Sequence, residues 1–162
     1  MLRAPARNAP ASSGFARAAA EELVTMQSFV ALLEQERNAL GTGKVDALPG
    51  LSAEKNNLMD ILSRCADQRA RLLGDACIPN SAAGVQYLLE ADHDAREIWD
   101  NLIEVARRAE ELNTANSYLV NQGLARVERA MDAMAGGAPG LYGTTGLAAQ
   151  RRPGASRSLA HG

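Results

Sequence analysis

The sequence predicts an all-α protein: an antiparallel three-helix, coiled-coil-like bundle with one long C-terminal helix and disordered termini. Three observations carry this. The stretch from Gly84 to Met134 has no proline, and its apolar residues recur three and four apart, as Ala95, Ile98, Leu102, Val105, Ala109, Leu112, Asn116, Leu119 and Gly123, continuing slightly slipped through Val127, Ala130 and Met134. Upstream, two shorter stretches of similar periodicity are separated by glycine and proline. Both ends of the chain mix Ala, Pro, Ser, Gly and Arg without such a pattern. An apolar period of 3.5 residues, sustained over several heptads, marks a helix built to lie along other helices.

The first helix is expected from about Phe15 to Leu40. Leu23, Met26, Val30, Leu33 and Leu40 form its seam, Arg37 is the exception on that stripe, and Glu21, Glu22, Glu34 and Glu36 stay mostly outside it. Gly41 and Gly43 end it, because glycine accepts left-handed backbone. Residues 1–14 are expected to be a disordered extension, residues 15–135 the helical domain and residues 136–162 a flexible tail.

One turn holding Leu48 follows Asp46, and Pro49 and Gly50 then interrupt the chain. Ser52 is the expected N-cap of the second helix, with Glu54 favourable to its dipole. Leu58, Ile61, Leu62, Cys65 and Leu72 line its inner face. Arg64, Arg69 and Arg71 crowd its C-terminal half, and Gly74 closes it. Ser81 is then expected to cap the long helix, which at about 1.5 Å per residue would be a rod of roughly 75–80 Å. Two helices of half that length cover about half of it, and the distal apolar face is left for a partner.

Composition excludes several classes. The 162 residues allow one or two domains. A formal net charge of −2 offers no basic face for nucleic acid, and 4% aromatics are too few for a base-stacking platform. No apolar run approaches the ~20 residues of a membrane span, so direct membrane insertion is not expected. Cys65 and Cys77 lack a CxxC or His-rich context, which indicates reduced thiols and neither a metal site nor a disulfide framework, and no cofactor is expected. His93 between Asp92 and Asp94 superficially resembles an acid–base group. Adjacent helical residues point in different directions, however, and no nucleophile or glycine-rich loop accompanies it, so no catalytic residue is assigned.

Two seam positions stand out. Asn116 falls where leucine would stabilise more; a buried asparagine fixes register or partner choice, whereas a half-exposed one needs no such role. Gly123 leaves a core position without a side chain. Either another chain approaches closely there or the helix tolerates a weak point.

Three motifs then carry a family resemblance. The first is Leu32-Leu33-Glu34 with Ala39-Leu40, Asp46, Leu48, Leu51, Glu54-Lys55, Leu58 and Leu62. The second is Trp99 followed by Glu111-Leu112-Asn113-Thr114-Ala115-Asn116, Leu119 and Val120. The third is Leu141-Tyr142-Gly143-Thr144-Thr145-Gly146. Together they resemble the flagellar export chaperones of the FlgN family over about Leu23 to Gly146. The longer N-terminal extension and the Pro49-Gly50 break depart from the family pattern, and Thr144 and Thr145 place no charge between the tail glycines.

The resemblance implies a cytoplasmic chaperone that binds the C-terminal helical segments of the hook–filament junction subunits FlgK and FlgL and delivers them to the cytoplasmic domain of the export gate. Client contacts are expected at Asn113, Asn116, Leu119, Val120, Gly123, Leu124, Val127, Met131 and Met134. Gate docking is expected at Leu141, Tyr142, Gly143 and Gly146. A structural coiled-coil scaffold or dimer with no client explains the seam equally well, but not the isolated aromatic beyond Gly136-Gly137. Whether the free protein is a monomer or a homodimer is left open.

Overall fold

The computed structural model describes residues 9–90 and 92–136. Among them the elements are α1 (Ala9–Thr42), a 3₁₀ turn (Val45–Ala47), α2 (Leu48–Asp75), α3 (Ala82–Leu88) and α4 (His93–Gly136). The chain divides into two units, Met1–Gly123 and Leu124–Gly162.

In the first unit α1 and α2 form an antiparallel hairpin. The pairs Glu22–Arg69 and Glu36–Lys55 run in opposite senses along the two chains. α4 runs parallel to α1, since Phe15 meets Trp99 and Glu34 meets Arg108. This is the expected up-down-up order. One core joins Phe15 and Ala19 of α1, Leu73 of α2, Val85 and Leu88 of α3 and Ala95 and Leu102 of α4, with Ile78 and Leu89 from the connections. The other joins Phe29, Val30 and Leu33 to Ala109 and Leu112, with Leu58 and Leu62 packed alongside.

The helix boundaries differ from the sequence expectation in four places. α1 begins at Ala9, not Phe15, so residues 9–14 are helical and not part of a disordered extension. Ser12 is buried and bonds the Asp92 carboxyl, which ties this turn to the start of α4. Residues 1–8 lie outside the described residues.

Pro49 and Gly50 do not interrupt the second helix. α2 starts at Leu48 with Pro49 in its first turn and Ala47 as N-cap, so Ser52 caps nothing. Proline is tolerated there because its missing N–H would have had no partner in the helix.

Of the two expected stops Gly43 ends α1, at φ +70°, with the Lys44 N–H donating to the Ala39 carbonyl at 2.9 Å, whereas Gly41 stays within the helix. Gly74 does not close α2. The left-handed residue is Cys77, at φ 57°, and the Ile78 N–H donates to the Leu73 carbonyl at 2.8 Å. That six-to-one closure brings Ile78 against Leu73 in the core, as such caps commonly do.

The long helix is broken near its start. Ser81 accepts a hydrogen bond from the Gly84 N–H at 3.2 Å and caps the short α3, not the long helix. Asp92 then accepts from the Ala95 N–H at 3.0 Å and caps α4. A side-chain acceptor at that position competes with continued helix. The break lets Val85, Leu88 and Leu89 all reach the core. The 44 residues of α4 span about 66 Å at 1.5 Å each, shorter than the expected rod.

Glu22 also corrects the pattern reading. It is 5% exposed, inside the bundle and not outside it. Arg69 turns inward to meet it with two guanidinium nitrogens, one donating to Oε1 at 3.1 Å. The Arg69 guanidinium also lies 5.0 Å from the centroid of the Trp99 ring, which packs on Phe15 at 5.4 Å. One arginine therefore ties α1, α2 and α4 together. The Cys65 thiol, half-buried nearby, is pushed up by burial and by the Glu22 and Glu21 carboxylates, which keeps it a thiol.

In the second unit the described residues continue α4 to Gly136. Leu124, Val127, Met131 and Met134 are all exposed there.

Candidate functional site

α4 changes character at Asn116. Before it, Ala95, Leu102, Ala109 and Leu112 are buried, as the seam predicts. After it the same seam lies open, from 37% exposure at Leu119 to 70% at Met134. The exposed residues Val120, Leu124, Val127, Met131 and Met134 keep alternating spacings of four and three, so helical geometry places them along one face. Single exposed leucines are ordinary, but a run of them on one helix face needs a partner to leave water.

Asn116 does not belong to that open face. It is 1% exposed, and its amide nitrogen donates to the Leu33 carbonyl and to Glu36 Oε2, both at 2.8 Å. The Lys55 ammonium donates to both Glu36 oxygens, at 3.0 and 3.3 Å. Asn116 Oδ1 is buried without a hydrogen-bond partner among the described residues. The expectation of a direct client contact at Asn116 is thereby corrected: its polar group is used to lock α4 onto the α1–α2 hairpin. Asn113 is half-buried.

Gly123 is exposed, and a β-carbon added there would meet nothing within 4 Å among the described residues. The expected docking residues Leu141, Tyr142, Gly143 and Gly146 lie outside the described residues.

Sequence reasoning missed a cavity of about 810 Å³ between α1 and α4, whose lining includes Arg37, Arg107, Glu110, Glu111, Tyr118 and Leu119. Its walls carry both signs of charge, and Leu119 joins it to the open face. Arg37 on an otherwise apolar stripe was the available signal. A second cavity of about 500 Å³, between α3 and α4, is lined by Leu89, Trp99 and Ile103 with Gln86, Arg96 and Asp100. It follows from the helix break, which the seam does not reveal. No group of three or more His, Cys, Asp or Glu side chains among the described residues is placed to hold a metal ion. None of the described helices is long and apolar enough to cross a membrane.

These features define the class as an all-α bundle protein organised on one long helix whose apolar seam is only partly covered. A family model described as FlgN protein matches residues 14–150, and the chain belongs to the FlgN family, which gives it a role connected with the flagellum. Among solved structures, a crystal structure of a Pseudomonas aeruginosa protein described as a flagella synthesis protein FlgN matches with a TM-score of 0.59 at 24% identity. The match covers 76% of this chain and 92% of that one, and it shows that the fold is shared. No curated protein matches the chain.

Proposed function

We propose that this protein is a cytoplasmic flagellar export chaperone that holds the C-terminal helical segments of FlgK and FlgL and delivers them to the export gate. The observation that carries this is the open apolar face of α4 after Asn116. Its four-and-three spacing suits an amphipathic helix laid alongside, with anchors at matching intervals. Burying side chains of this size contributes about 1.5–3 kcal/mol each. Ordering a disordered subunit tail costs about 1–2 kcal/mol per residue in backbone entropy. The two terms offset one another, which favours a hold that can be reversed at the gate. Met131 and Met134 suit two different clients, since unbranched thioethers adapt to unlike surfaces.

Calorimetry with a synthetic peptide of the FlgK C-terminal segment tests the reading. Replacing Leu119 and Val127 together with aspartate should abolish binding while the helical circular dichroism is kept, because both side chains are exposed. Unchanged affinity in that variant would place the client elsewhere. Self-association without any FlgK or FlgL binding would favour the scaffold.

Delivery is assigned to the tail. Tyr142 lies beyond the seam and offers a large ring with a hydroxyl on a side chain of few rotors, which suits an anchor. Tyr142→Ala should retain client affinity but weaken binding of the loaded chaperone to the gate's cytoplasmic domain, and reduce secretion. Loss of client affinity in proportion to secretion would assign the tail to the client site instead.

A further inference from the structure

Gly123 has no evident reason among the described residues. It lies well inside α4, where glycine is less favourable than alanine because it gains no side chain and loses more backbone freedom. Its backbone is helical, so no left-handed conformation requires glycine, unlike Gly43 at φ +70°. No atom of the described residues crowds it either, unlike Gly84, where an added β-carbon would lie 2.0 Å from the Pro79 carbonyl oxygen. Gly41, Gly50, Gly74 and Gly136 also have open surroundings, but each sits within the first or last turn of its helix. Among the described glycines, Gly123 alone combines a helix interior with open space. It also falls one turn beyond Leu119 and Val120, the first exposed residues of the seam, and seven residues beyond Asn116.

We infer that Gly123 is the socket of the client face, a gap in the seam that admits one large apolar side chain of the bound helix and lets the two backbones approach closely. The inference rests on the reading of α4 as the client-binding face and deepens it. The client it specifies is an α-helix carrying a leucine, methionine or phenylalanine at the point of closest approach. A partner bound as an extended strand would have no use for a single gap at that place. Side-chain-free positions at helix–helix contacts act in this way because a β-carbon sets the minimum separation of the axes.

The test uses Gly123→Ala in the full chain with the synthetic FlgK C-terminal peptide. Alanine is the better helix former, so the variant should fold and melt at a slightly higher temperature than the parent. Its peptide affinity should nevertheless fall about tenfold, the scale of overfilling a packed site by one methyl group. Trimming the peptide's apolar residues to alanine one at a time should then identify one position that restores affinity to Gly123→Ala while weakening binding to the parent. Equal or tighter binding by Gly123→Ala overturns the socket and leaves the client face standing, and so does a tenfold loss that no peptide position restores. Failure of the parent chain to bind the peptide overturns the reading of the client face itself.

Discussion

Replacing Arg69 with methionine removes a cation from the one place where three helices depend on it. The Glu22 side chain is 7% exposed and that of Arg69 16%. Taking the arginine away leaves a carboxylate inside the bundle with its charge uncompensated, which typically costs about 3–5 kcal/mol. Loss of the guanidinium from the Trp99 ring adds about 0.5–2 kcal/mol. Methionine keeps the apolar stem, so the expected destabilisation is near the lower end, about 3 kcal/mol. For a chain of this length that is a fall in Tm of roughly 6–12 °C.

Arg108→Met is the internal control. Its pair with Glu34 is 63% and 48% exposed, where screening by water leaves about 0–1 kcal/mol. Changing both members of the buried pair, Glu22→Leu with Arg69→Met, should recover most of the loss, because no charge then remains inside. Urea unfolding followed by circular dichroism measures all three. The reasoning is refuted if Arg69→Met costs no more than Arg108→Met, or if the double change is worse than the single one.

Three further expectations follow from the backbone and the caps. Cys77→Gly relieves a left-handed residue at the end of α2 and should stabilise by about 0.5–1 kcal/mol in the same urea assay, net of the glycine's extra freedom when unfolded. Gly84→Ala drives a β-carbon into the Pro79 carbonyl, so it should cost about 3 kcal/mol and expose α3 to limited proteolysis before the rest of the bundle. The Ala95 N–H and then the Ser12 hydroxyl hold the Asp92 carboxyl below its ordinary range. Its contribution is therefore present above the unfolded value of about 3.9 and is lost as pH falls through the lower folded value. Asp92→Asn keeps a capping acceptor, and it should reduce the loss of thermal stability measured below pH 4.

The heptad seam of α4 made the fold class and the position of the open face legible in the sequence. Ala95, Leu102, Ala109 and Leu112 are buried, and Leu119, Val127 and Met134 are exposed. Periodicity reports such a face directly: each residue's direction on a helix depends only on its place in the repeat. Gly43 was legible for a similar reason, since its left-handed backbone is a local property.

What tertiary structure decided was the use of polar groups and the places where helices stop. Glu22 and Asn116 look like a solvated acid and a seam irregularity until Arg69 arrives from 47 residues away and the Leu33 carbonyl from 83. No local pattern carries those meetings. The break at Asp92, the opening of α2 at Leu48 and the left-handed turn at Cys77 were equally hidden. In each, a weak local preference yields to what burial gains elsewhere, as when Val85, Leu88 and Leu89 enter the core only because the helix stops between α3 and α4. Sequence determines which faces are apolar, because that is written residue by residue. Which charges go inside, and which turn bends to bring them there, depends on partners that only the folded chain brings together.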